Sequence, residues 1–130
     1  MNIFETIKNE TAGYGDKTAV IEGNQSISYR ELLDASENLA SRLKNHGIKP
    51  ADRIALICND SIDYIIICLA ILAAKAAVVP VSSSLSWDET DAVLNRIDVN
   101  CHIFDKPAYT GADTEPFFSG FNGGRKFFLL

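Results

Sequence analysis

At 130 residues, 47% hydrophobic and 22% charged, the chain has the composition of one globular domain or part of one, long enough to bury roughly two-thirds of its unfolded surface. Its net charge of -5 comes with no basic cluster denser than the pair Arg125-Lys126, which excludes the electrostatic footprint of a nucleic-acid binder. Three cysteines, Cys58, Cys68 and Cys101, are odd in number and far apart in apolar runs, so neither a disulfide framework nor a zinc site is expected, and no metal ligand is assigned.

In chain order, Asn2 to Thr11 reads as a short helix with Ile3, Phe4 and Ile7 on one side. The opening MNIFETIKNE alternates apolar and charged residues, unlike the basic start and apolar core of a secretory signal, and a cytoplasmic location is the expectation. Gly13-Tyr14-Gly15 lacks the third glycine and the preceding strand of a dinucleotide fingerprint and reads as a turn. TAVIE, Thr18 to Glu22, is a strand that Gly23-Asn24 ends in a turn.

Ser28-Tyr29-Arg30-Glu31 has a serine at an N-cap and a glutamate three residues on, where each side chain satisfies the other's backbone donor. A helix starts there. Leu32, Ala35, Leu39 and Leu43 form its apolar stripe, His46 falls at its end, where a positive charge suits the dipole, and Gly47 is placed to close it in the left-handed conformation.

Arg53 to Cys58 is a short apolar strand, and Asn59-Asp60-Ser61 supplies the turn and the cap of the next helix. That helix carries the run Tyr64 to Ala74, apolar on nearly every side, bounded by Asp63 and Lys75 and well short of the roughly 20 residues a bilayer needs. It must be buried on both sides, and no membrane span is expected. Ala77 to Val81 is another strand, Ser86-Trp87-Asp88-Glu89 repeats the capping spacing, Val93, Leu94 and Ile97 mark a further helical face, and Cys101 to Phe104 is a strand. Past Asp105, a segment crowded with Pro107, Gly111, Pro116, Gly120, Gly123 and Gly124 reads as loop, and KFFLL closes the chain as a β-prone run. Strands separated by helices predict an α/β fold, a largely parallel sheet with helices on both faces.

Few residues suggest chemistry by themselves. Cys101 and His102 are neighbours on a strand and point to opposite faces, which argues against a nucleophile and base pair. Asp60 and Asp105 lie at the carboxyl ends of strands, where α/β folds hold ligands, and leave open a small receiver-like or flavodoxin-like module; Asp60 reads more simply as a helix cap. A stand-alone noncatalytic α/β binding or interaction module is a third possibility. Its sign would be self-association through exposed apolar surface.

Ile27-Ser28-Tyr29-Arg30-Glu31-Leu32, Ala51-Asp52-Arg53-Ile54-Ala55, Asn59, the run Ala73 to Val81 and Leu85-Ser86-Trp87-Asp88-Glu89 stand in this order and spacing. Together they resemble the N-terminal part of the adenylate-forming (AMP-dependent synthetase/ligase) enzymes, which include acyl-CoA synthetases and the adenylation domains of peptide synthetases. The resemblance covers residues 1 to 105 as an incomplete N-terminal subdomain, and residues 106 to 130 are set apart as a Gly/Pro-rich loop and terminal strand. Ala51 and Lys75 stand where the family usually has glycine.

The resemblance implies ATP-dependent, AMP-forming activation of a small carboxylic acid, with magnesium, and transfer of the acyl group to the thiol of CoA or of a carrier's phosphopantetheine. The phosphate loop, nucleotide clamp, metal-holding acid and catalytic lysine of that family all follow the matching segment. The fragment itself is not expected to be catalytic: no catalytic, cofactor-binding or metal residue is assigned, and its expected partner is the remainder of the parent enzyme. Ser119-Gly120-Phe121-Asn122-Gly123-Gly124-Arg125-Lys126 imitates the phosphate loop, but Phe121 would obstruct a phosphate and the segment precedes a strand where it should follow one. KFFLL is the expected lead-in to the true loop beyond Leu130.

Overall fold

A computed structural model describes residues 2–105, 116–121, 123 and 125–129. The chain divides into two compact units that interleave in sequence, one built from Met1–Ala51 and Asp60–Ala77, the other from Asp52–Asn59 and Val78–Leu130. The expected glycine and proline positions Pro107 and Gly111 lie outside the described residues.

In the first unit, helix α1 (Ile3–Glu10) is capped by Asn2, whose Oδ1 accepts the Glu5 N–H at 2.9 Å, and buries Phe4. A 3-10 turn (Ala12–Tyr14) leads to strands β1 (Thr18–Glu22) and β2 (Gln25–Ser28), an antiparallel hairpin turning at Gly23, φ 60°. Helix α2 (Tyr29–Asn45) begins with the predicted capping box: Glu31 N–H donates to Ser28 Oγ and Ser28 N–H to Glu31 Oε1, both at 3.1 Å. Its buried stripe is Leu32, Ser36, Leu39, Ala40 and Leu43. Ser36 takes the place expected for Ala35, and its hydroxyl is satisfied by the Leu32 carbonyl at 2.7 Å.

Helix α3 (Ile62–Ala73) packs against α1 and α2. Ile62, Ile67 and Ile71 are fully buried, each worth roughly 1.5–3 kcal/mol of transfer free energy as an upper bound, and this, not amphipathic patterning, holds the helix in place. Both α2 and α3 end in the same pair of bonds. Ile48 N–H reaches Leu43 O and Gly47 N–H reaches Lys44 O after α2; Ala76 N–H reaches Ile71 O and Lys75 N–H reaches Leu72 O after α3. The left-handed residue that this motif requires is Gly47 at φ 109° in the first case and Lys75 at φ 63° in the second.

The second unit holds a mixed five-stranded sheet in the order β4-β3-β5-β7-β6, formed by β3 (Arg53–Ile57), β4 (Ala77–Pro80), β5 (Cys101–Phe104), β6 (Phe118–Ser119) and β7 (Lys126–Leu129). Strands β3 and β5 run parallel, with Ile54 beside Cys101 and Ile57 beside Phe104. The expected α/β sheet is present, but β7 runs antiparallel to both β5 and β6, because residues 118–129 fold back as a hairpin and return without a crossover. Helix α4 (Trp87–Leu94) carries the second capping box, Ser86 with Glu89, and Val93 and Leu94 pack with Leu85, Ile97 and Val99 over Ala55, Ile57, Val81, Phe104 and Phe128. Ile54 and Leu56, on the other face of β3, are also fully buried, so the strand reads as a continuous apolar run.

Candidate functional site

Parallel strands of an α/β sheet present their carboxyl ends to ligands, so the ends of the parallel pair β3 and β5, with the loop after β4 beside them, are where a site would form in the second unit. There Ser83 Oγ donates to Asn59 Oδ1 at 2.6 Å, and the Ser82 and Ser84 hydroxyls meet at 2.8 Å. The backbone tie Val81 N–H to Leu56 O, 3.0 Å, fixes the start of this serine loop against β3. Asp105 follows β5, and its Oδ1 is buried with no hydrogen-bond partner among the described residues. The edge therefore offers hydroxyls, one amide and one carboxylate. It holds no nucleophile with an adjacent base among the described residues, and no cluster of three or more metal-ligating side chains occurs among them.

The cysteines support the same reading. Burial pushes the Cys68 and Cys101 thiols up to about 11, Cys101 further disfavoured as thiolate by the nearby Asp52 carboxylate. His102, beside Ala55 in the sheet, is held below its ordinary value by burial. It lies on the opposite side of β5 from Cys101, as strand alternation requires.

In the first unit, the N-terminus of α3 is already filled. Ser61 Oγ accepts the Tyr64 N–H at 3.1 Å, and Glu22 Oε1 on β1 accepts the Ile62 N–H at 2.8 Å. A carboxylate from the protein itself occupies the place where a helix would hold a phosphate. Asp60 is exposed and is not the cap, contrary to the simpler reading of its sequence position; Ser61 and Glu22 share that role. Glu22 escaped sequence reasoning because the bond spans 40 residues.

Ser119 ends β6 and Lys126 begins β7. Ser119 pairs with Lys126 across the hairpin, the Lys126 ammonium donates to Ser119 Oγ at 3.0 Å, and Gly120 N–H reaches Arg125 O at 2.8 Å. Asn122 and Gly124 lie outside the described residues. Gly13 and Tyr14 belong to the 3-10 turn, with Tyr14 against Tyr29 at 5.9 Å and Lys17 over its ring at 5.1 Å. Both segments are thus tied by contacts within turns and a hairpin. No helix among them is long and apolar enough to cross a membrane.

The family model described as AMP-binding enzyme matches residues 7–119. Malpibaldin synthetase of Mortierella alpina is 35% identical over 79 residues, 61% of this chain and 1% of that protein. A methyl-dioxo-octahydroindenyl propanoyl:CoA ligase of Mycobacterium tuberculosis is 34% identical over 98 residues, 75% of this chain and 19% of that protein. Among solved structures, coronafacic acid ligase of Pectobacterium brasiliense superposes with a TM-score of 0.75 at 30% identity, covering 82% of this chain and 21% of that one. An N-terminal subdomain of NpsA from Klebsiella oxytoca, in complex with 3-hydroxyanthranilyl-AMSN, gives a TM-score of 0.79 at 24% identity, over 85% of this chain and 28% of that one, and shares the fold. The chain thus spans less than a third of each of these relatives.

Proposed function

The chain belongs to the AMP-binding enzyme family, and from that premise we propose that it is the opening, scaffold-building segment of an ATP-dependent ligase that activates a small carboxylic acid as its acyl adenylate. The observation that carries this reading is the role of the family-like motifs in the fold. The ISYREL residues Ser28 and Glu31 cap α2 while Ile27 and Leu32 enter the core; Ser86 and Glu89 cap α4; and the run after Ala73 closes α3 and begins β4. Each of these motifs secures an element, which supports a scaffold role.

Catalysis then belongs to the rest of the parent enzyme, which is the partner of this segment. ATP with magnesium supplies the adenylate, and CoA or a carrier's phosphopantetheine receives the acyl group. The division into residues 1–105 and 106–130, a cytoplasmic location and self-association of the isolated segment belong to the same proposal. Exposed large apolar side chains, among them Ile3, Ile21 and Trp87, lie on separate elements and supply only scattered contact for such association.

ATP–pyrophosphate exchange tests the reading when measured on the 130-residue chain and on the longer product of its reading frame, across a panel of carboxylic acids. Exchange by the longer product and none by the chain is expected. Exchange by the chain alone would overturn the scaffold assignment.

A further inference from the structure

A groove of about 740 Å³ in the first unit is lined by Ile3 of α1, by Leu72 and Ala73 of α3, and by Lys44 and Lys75. Lys44 stands in the last turn of α2, and Lys75 is the left-handed residue that closes α3. Neither ammonium has a hydrogen bond or ion pair among the described residues. Glu5 also lines the groove, but its charge acts on Lys8, one turn along α1. In a chain of net charge -5, two uncovered positive charges thus stand beside an uncovered apolar side chain, Ile3 being 62% exposed.

The second unit carries the opposite combination. On α4, Trp87 and Asp91 are four residues apart and Asp88 and Asp91 three, so the three side chains form one contiguous stripe. Trp87 is 48% exposed, both aspartates are exposed, and neither carboxylate has a hydrogen bond or ion pair among the described residues. Asp88 lies in the first turn, where the helix dipole favours an acid; Asp91 lies beyond it and has no such local partner.

We propose that the α4 stripe of one copy of this chain docks in the groove of another, Trp87 against Ile3, Leu72 and Ala73, with Asp88 and Asp91 facing Lys44 and Lys75. These are the surfaces of the self-association proposed for the isolated segment, and the assignment rests on that reading. Ile3 and Trp87, scattered within one molecule, adjoin between two. The indole supplies the apolar contact, and the opposite charges set its register. Each copy carries one of each surface, so the contact is heterologous and joins copies head to tail.

The test is sedimentation equilibrium of the 130-residue chain over a concentration series, followed by charge reversal. The average mass should rise with concentration, with a dissociation constant on the order of 0.1 mM, and the association should weaken as salt is raised from about 0.05 to 0.5 M. The variant Lys44→Glu with Lys75→Glu, and separately Asp88→Lys with Asp91→Lys, should each weaken association by about tenfold or more, because each sets like charges face to face. An equimolar mixture of the two should restore it, since the reversed groove then meets the reversed helix and the unaltered groove the unaltered helix. Asp91→Lys alone, beyond the first turn of α4, takes the place of the double helix variant should that one lose its dispersed NMR spectrum. A monomer at every concentration would overturn the assignment and the self-association together. Association undiminished in the reversed variants, or not restored in their mixture, would overturn the assignment and leave the self-association standing.

Discussion

The Ala51 N–H donates to the Lys75 carbonyl at 2.9 Å, and both residues sit at positive φ, 71° and 63°. These are the two positions where the sequence resemblance leads one to expect glycine. Ala51 follows Pro50 in a turn whose third residue requires left-handed backbone, and Lys75 is the left-handed residue that closes α3. Each side chain costs roughly 1–2 kcal/mol there, while a glycine loses roughly 0.5–1 kcal/mol more chain entropy on folding. The local strain is the larger effect. Ala51→Gly and Lys75→Gly should each stabilise the fold by roughly 0.5–1 kcal/mol in urea denaturation, and the double variant should deviate from additivity because the pair shares a bond. Destabilisation by both substitutions would show that the left-handed geometry is absent in solution. Gly47→Ala is the converse control and should be destabilising.

The Glu22 carboxylate holds β1 to the first turn of α3. Glu22→Ala leaves the N–H of the almost fully buried Ile62 without this acceptor and should cost about 1–3 kcal/mol, whereas Glu22→Gln, which keeps an acceptor and loses the charge, should cost about 0.3–1 kcal/mol. Chemical denaturation of the two variants side by side decides this. Equal losses would mean that the charge and not the hydrogen bond is what matters.

Ser28→Ala removes the α2 cap and should lower stability by about 1 kcal/mol without touching any group that could react with substrate. In the parent enzyme, turnover per folded molecule should therefore persist. A stable Ser28→Ala protein with no turnover would place Ser28 in the chemistry and refute its structural role.

Acid should weaken the fold in two stages. Burial lowers the folded-state value of His102, so the unfolded chain binds the proton more readily and stability falls as pH drops below about 6.5. The Ser28 backbone and hydroxyl lower Glu31, and those of Ser86 lower Glu89; these contributions are complete above the ordinary carboxylate value near 4.5 and disappear as pH falls through the lowered one. Urea midpoints across pH 3 to 8 should rise with pH through both windows. Replacing His102 with Gln should flatten the upper window alone, and an unchanged upper slope would assign it to another group.

Much of the local structure is legible in the residues. Ser28 with Glu31, Ser86 with Glu89 and Gly47 mark helix ends by chemistry confined to one turn, and the near-continuous apolar character of α3 announces its burial. Features set by distant partners are not legible. Strand β2 is three-quarters polar and exists through its pairing with β1; β6 is two residues long and exists through β7. Ser36 enters the core in place of Ala35 because helix phase, not polarity, decides which side faces inward once the hydroxyl has a carbonyl to bond. The serine loop meets Asn59 across 24 residues, a contact that local spacing does not encode, and Asp60 loses the cap to Ser61 and a residue on another strand.

The reversal at β7 carries a directional consequence. Leu129 stands beside Ile103, two residues from the start of β5, and Phe128 stands beside Phe104, so the chain travels from the serine-lined end of the sheet toward the opposite one. A segment continuing along that path moves away from Asn59 and Ser83 and toward Asn100, whose side chain and backbone clasp Arg53. The hairpin thus acts as a turnstile, turning the polypeptide from the rim where parallel α/β sheets ordinarily seat their ligands back toward the opposite one.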